Sequence, residues 1–103
     1  MRIQVICGAG ASSTFVAGRL RRAAQADGCD WEVAAASLER IDPFADVLLV
    51  GPHVADRREE IGARAPRARI AVLPEEAFTD LHGTGVLALV HALLDENAPK
   101  GTP

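Results

Sequence analysis

Residues 45 to 50, Ala-Asp-Val-Leu-Leu-Val, close on Gly51-Pro52, and this stretch restricts the fold more than any other. A strand with one face in water alternates apolar and polar side chains. A run that is apolar without alternation predicts a strand buried on both faces, as in a parallel sheet. Such a strand needs a layer of cover on each side, so the sheet must lie between helices. Gly51-Pro52 then ends the strand.

The rest of the chain supplies those layers. Arg2 to Ile6 (RIQVI) reads as a short strand ending at Cys7. A helix starting near Ser12 or Ser13 follows, with Val16, Leu20, Ala23 and Ala24 at i, i+4, i+7 and i+8 and Arg19, Arg21 and Arg22 mostly outside that stripe. Gly28 is its stop signal. Trp31 to Ala36 is a second strand, and Pro43 breaks the connection LERIDPF. Residues 53 to 64 read as a helix with Val54 and Ile61 facing inward and DRREE in solvent, stopped by Pro66. Arg69 to Leu73 is a fourth strand ending at Pro74, GVLALVHALLDE is the last helix, and NAPKGTP is a frayed polar tail.

Strands alternating with helices predict parallel pairing with right-handed crossovers. The expectation is an α/β fold: a small doubly wound four-stranded parallel sheet, ordered 2-1-3-4, with helices on both faces. No internal repeat or linker interrupts the pattern, so residues 1–97 read as a single domain and 98–103 as a flexible C-terminal tail. Sheets of this kind bind ligands beyond the carboxyl ends of their strands, near the point where the strand order reverses. Strand 1 ends there, at Cys7.

Composition removes several function classes. The net charge of −3, with three Phe, one Trp and no Tyr, argues against a nucleic-acid partner, which would call for a basic stripe with interleaved aromatics. The opening MRIQVIC carries one Arg and too short an apolar run for a secretory signal. No run approaches the ~20 apolar residues of a membrane helix, so a cytoplasmic chain without direct membrane insertion is expected. The two cysteines, Cys7 and Cys29, form no CxxC pair, and His53, His82 and His91 show no ligand spacing with them. Neither a disulfide framework nor a structural zinc site is expected from the spacing.

The segment VICGAGASST, residues 5 to 14, carries the chemistry. A nucleotide-binding Walker loop needs a Lys before its Ser/Thr, and GAGASST has none. A dinucleotide fingerprint needs glycine at Ser13, although Glu39 stands near the place of a ribose-binding acid. If the sulfur is the working atom, the pattern makes sense. A thiolate is the nucleophile, and a helix N-terminus stabilises it. Gly8 and Gly10 let backbone N–H groups wrap an anion, Ser12, Ser13 and Thr14 add hydroxyls, and the helix dipole favours negative charge. This is a cradle for a tetrahedral oxyanion, suited to a phosphocysteine. Small cysteine phosphatases and arsenate reductases use a similar cradle closed by Arg six residues after the Cys, where this chain has Ser13. Asp42-Pro43 resembles the setting of their general acid, but in a different place in the chain order. Cys7 could also be a buried small hydrophobe at a strand end, and the hydroxyls plain helix caps.

The chain resembles the lactose/cellobiose type of IIB component of the bacterial phosphoenolpyruvate-dependent sugar phosphotransferase system. The resemblance rests on ICGAGASST after the first strand, ADVLLVGPHV at the third and GTGVLALVHALL opening the last helix, in an order and spacing that cover residues 3 to about 95. It implies that Cys7 attacks a phosphohistidine on a IIA protein and is S-phosphorylated, while Gly8, Ala9, Gly10, Ala11, Ser12, Ser13 and Thr14 hold the phosphoryl oxygens. A membrane IIC transporter would then present a sugar hydroxyl as acceptor. No metal or organic cofactor is implied.

The other polar residues read more plainly. His53, after Gly51-Pro52, is a loop residue on the same rim as Cys7 that could touch the phosphate or a partner. Cys29 is an incidental thiol after a helix-stop glycine. His82 is a surface loop residue and His91 a boundary residue of the last helix. Arg19, Arg21 and Arg22 are solvated or meet acidic partner surfaces.

Overall fold

A computed structural model describes residues 1–6, 11–79 and 82–95. Four strands, β1 (Arg2–Ile6), β2 (Glu32–Ala36), β3 (Val47–Val50) and β4 (Arg69–Val72), form one sheet in the order β2-β1-β3-β4. Every pairing is parallel, with Ile3 opposite both Val33 and Val47, and Val47 opposite Arg69. Three α-helices accompany it: α1 (Ala11–Ala26), α2 (Arg58–Arg64) and α3 (Thr84–Asp95). The expected class and strand order are those observed.

β3 behaves as its apolar run requires. All four of its residues have no exposed surface, and successive side chains enter different cores. Val47 and Leu49 join Ile3, Val5 and Val33 beneath α1 and α3. Leu48 and Val50 join Ile6, Val54, Ile61 and Ala65 on the α2 side. The β1–α1–β2 and β3–α2–β4 crossovers move outward in opposite directions from the sheet centre. Right-handedness therefore places them on opposite faces.

Gln4 interrupts this scheme, because its position in β1 faces the α2 side. Its side chain is satisfied there: Nε2 donates to the Arg40 carbonyl at 3.3 Å, and Oε1 accepts from the Asp42 N–H at 2.7 Å. The amide thus pins the β2-to-β3 connection to the central strand, where an unpaired one would cost about 1–3 kcal/mol.

α1 turns the sequence pattern into packing, with Val16, Ala17, Leu20, Ala23 and Ala24 all buried. It ends in a Schellman closure. Gly28 takes φ +79, the Cys29 N–H donates to the Ala24 carbonyl at 2.8 Å, and the Gly28 N–H to Gln25 at 3.1 Å. Arg21, expected in solvent, reaches back to donate to the Val33 carbonyl at 2.9 Å. It ties α1 to the edge strand β2.

Element boundaries shift by a residue or two where side chains intervene. β2 begins at Glu32, and Trp31 packs instead against the core and the His91 ring. β3 starts at Val47 because Asp46 is engaged with Arg2: its N–H donates to the Arg2 carbonyl and its Oδ2 accepts from the Arg2 N–H, both at 2.8 Å. The helix expected over 53–64 divides into a 3₁₀ segment, Pro52–Arg57, and α2. Val54 leaves helical geometry (φ −122, ψ 18) at the kink and is buried among the α2-side residues. α1 begins at Ala11, β4 ends at Val72 and α3 spans Thr84–Asp95. The tail 98–103 lies outside the described residues.

α3 docks on α1 through one glycine. Gly83 has φ +73, and a Cβ there would stand 2.5 Å from the Arg19 carbonyl oxygen and 3.0 Å from the Leu20 nitrogen. Only glycine allows this approach of the two backbones.

Candidate functional site

In the order β2-β1-β3-β4 the chain leaves β1 toward one face and β3 toward the other, which opens a crevice between their carboxyl ends. The two strands leave the sheet side by side: the Gly51 N–H donates to the Ile6 carbonyl at 2.8 Å. Residue 7 follows Ile6 directly, and four residues later α1 begins. Cys7, Gly8, Ala9 and Gly10 themselves lie outside the described residues. Their described flanks are the buried Ile6 that ends β1 and the first turn of α1.

The first turn of α1 is formed by the backbone of Ala11, Ser12, Ser13 and Thr14. The first N–H groups of a helix have no carbonyl partner within it, and α1 is 16 residues long, so its N-terminus carries about half a positive charge. No acidic residue stands in that first turn to offset it. His53 is exposed in the 3₁₀ segment that follows β3, on the same rim.

The other cysteine sits at the opposite end of the same helix. Cys29 is partly buried, and its Sγ donates to Asp27 Oδ2 at 3.8 Å. Desolvation raises its thiol above the ordinary value, and the Asp27 carboxylate adds to the rise by charge and by hydrogen bond. The negative end of the helix dipole acts in the same direction. These effects disfavour the Cys29 thiolate, the form in which a thiol is a nucleophile.

Phe15 was not singled out from the sequence. It is 64% exposed next to the first turn of α1, and the Arg19 guanidinium carbon lies 5.8 Å from its ring centroid. Its position between the hydroxyl run and the buried Val16 is the signal that could have marked it. Of the three arginines of this helix, Arg21 serves the fold, Arg19 covers Phe15 and Arg22 is exposed. His82 is exposed in the turn before α3 and His91 is half-buried within α3, as expected.

Comparisons with known proteins bear on the family and the fold. Residues 2–88 match the family model described as the lactose/cellobiose-specific IIB subunit of the PTS system. The galactose-specific EIIB component of Lactococcus lactis subsp. cremoris is 31% identical over 103 residues, covering 90% of this chain and 95% of that protein. The cellobiose-specific EIIB component of Lactococcus lactis subsp. lactis is equally similar, at 31% over the same coverage. Among solved structures, the lactose-specific IIB component domain from Streptococcus pneumoniae superposes with a TM-score of 0.74 at 14% identity, covering 89% of this chain and 95% of that one. At that identity the likeness is one of fold.

Proposed function

The chain belongs to the lactose/cellobiose-specific IIB family of the phosphotransferase system, and from that premise we propose that Cys7 is its phosphoryl acceptor. As a IIB component it is a phosphotransferase component of sugar transport. What supports the assignment to Cys7 is the order of the chain about α1. One thiol precedes the positive N-terminus in the chain, and the other lies past the negative C-terminus beside Asp27.

In the first step the Cys7 sulfur attacks the phosphorus of a phosphohistidine on the IIA partner. An S–P bond forms as the N–P bond breaks, and the thiol proton ends on the freed imidazole. Gly8 to Thr14 hold the three phosphoryl oxygens through backbone N–H groups and hydroxyls. This is positioning and electrostatics, the main requirements of phosphoryl transfer. In the second step a sugar hydroxyl held by the IIC transporter attacks the phosphorus. The O–P bond forms, the S–P bond breaks, and the hydroxyl proton returns to sulfur. Ser13 stands where a cysteine phosphatase has Arg, so the cradle retains the phosphoryl group for a partner's acceptor rather than for water.

The partners meet the carboxyl rim, where His53 and the exposed Phe15 flank the crevice. Among the described residues no helix is long and apolar enough to cross a membrane. Contact with the membrane is made through the IIC partner, from the cytoplasmic side, a reading supported by family membership. Reconstitution with phosphoenolpyruvate, the general phosphotransferase proteins, a cognate IIA and IIC-bearing vesicles tests the proposal. Cys7→Ser should abolish sugar phosphorylation and Cys29→Ser should leave it intact. Full activity in Cys7→Ser would overturn the assignment.

A further inference from the structure

The fold brings together three side chains that the sequence holds apart. Asp27 and His91 are 64 residues from one another, yet His91 Nε2 lies 3.3 Å from Asp27 Oδ2. Cys29 Sγ lies 3.8 Å from the same oxygen. One carboxylate oxygen, one imidazole nitrogen and one sulfur all fall within 4.8 Å of one another. We propose that Asp27, Cys29 and His91 bind a zinc ion at a site separate from the phosphoryl-transfer rim, joining the end of α1 to α3.

Two of the three spacings match what zinc requires. Bonds of about 2.0 Å to nitrogen and oxygen and about 2.3 Å to sulfur, arranged tetrahedrally, place N and O roughly 3.3 Å apart and S and O roughly 3.5 Å apart. The N–O and S–O separations, 3.3 and 3.8 Å, lie within a few tenths of an ångström of those edges, and with all three atoms within 4.8 Å of one another binding draws the sulfur and the imidazole nitrogen together. Thiolate with imidazole and carboxylate is a donor set for a borderline-soft divalent ion rather than for magnesium or calcium. Three protein ligands leave the fourth position to water.

Charge and preorganisation favour the same ion. α1 has no basic residue in its last turn, so its negative end is not offset there and attracts a cation. The thiolate and carboxylate together neutralise a divalent charge, with the thiol proton released to solvent. The Schellman closure fixes the backbone of Cys29 through its bond to Ala24. The Trp31 ring, 5.2 Å from the His91 ring and tilted 54°, holds the imidazole. Asp27 and His91 are about half exposed, so the site is open to solvent.

Cobalt(II), which reports thiolate ligation optically, tests this on untagged protein. In a Cys7→Ser chain Cys29 is the single remaining cysteine of the two in the sequence. Added Co(II) should give a sulfur-to-cobalt charge-transfer band and intense tetrahedral visible bands, both displaced by Zn(II). Cys29→Ser should remove the charge-transfer band, and His91→Asn or Asp27→Asn should weaken binding at least ~10-fold. As a second readout, Zn(II) should raise the melting temperature of the wild-type chain but not of His91→Asn. A missing charge-transfer band overturns the proposal. So does a band whose apparent affinity is unchanged in both His91→Asn and Asp27→Asn, since a lone thiol would then suffice.

Discussion

Cys29 stands one residue beyond the glycine that closes α1, beside Asp27, while Cys7 stands before the start of the same helix. At neutral pH a haloacetamide should therefore alkylate Cys7 faster than Cys29, because the Cys29 thiolate is disfavoured. Peptide mass spectrometry of briefly labelled protein measures this directly, and faster labelling of Cys29 would contradict the role given to each thiol. Phe15 belongs to the same scale. With 64% of its surface exposed, Phe15→Ala should leave the unfolding midpoint within about 0.5 kcal/mol of wild type. It should slow phosphoryl acceptance from IIA if its ring meets the partner; an unchanged acceptance rate would remove it from the docking rim. The sequence alone points to Cys7, because glycines and hydroxyls surround it in one short segment that lies partly outside the described residues. The opposing character of Cys29 was not legible there, since its cause is the helix terminus and Asp27 carboxylate that folding sets around it.

At the level of elements, periodicity and breakers carried most of the fold. Val16, Leu20, Ala23 and Ala24 marked the buried side of α1, Gly28 its end, and the unbroken run of β3 its two-sided burial. Tertiary contacts were illegible because no local pattern encodes them. The kink at Val54 arises where the chain turns from the rim onto the α2 face. The demand for glycine at position 83 comes from the Arg19 carbonyl on a different helix. Gly83→Ala should accordingly lower stability by about 1–3 kcal/mol, from strain at positive φ and displacement of α3 from α1. Urea unfolding checks this, with an unchanged midpoint as the contrary result. Gln4→Ala should cost about 1–2 kcal/mol through the unpaired Asp42 N–H and Arg40 carbonyl. Faster amide exchange in the 40–42 connection should accompany the loss.

For the whole molecule, the sheet separates stability from chemistry. β3 holds the two cores together with all four residues buried, and Leu48→Ala there should cost about 2–5 kcal/mol by opening a cavity. Thermal unfolding measures that loss, and chain that remains folded should still accept phosphate. Ile6 and Val50, which end β1 and β3, belong to the α2-side core, whereas His53 beyond β3 and Phe15 in α1 are exposed. β1 and β3, whose following segments depart to opposite faces, lie side by side at the centre of the sheet, and the chain belongs to a family of phosphotransferase components of sugar transport. The most direct test is to incubate the chain with phosphoenolpyruvate, the general phosphotransferase proteins and a cognate IIA, then map the adduct by tandem mass spectrometry. A single IIA-dependent phosphate on Cys7, absent in Cys7→Ser, is the predicted result; a phosphate on another residue, or equal labelling of Cys7→Ser, would contradict it.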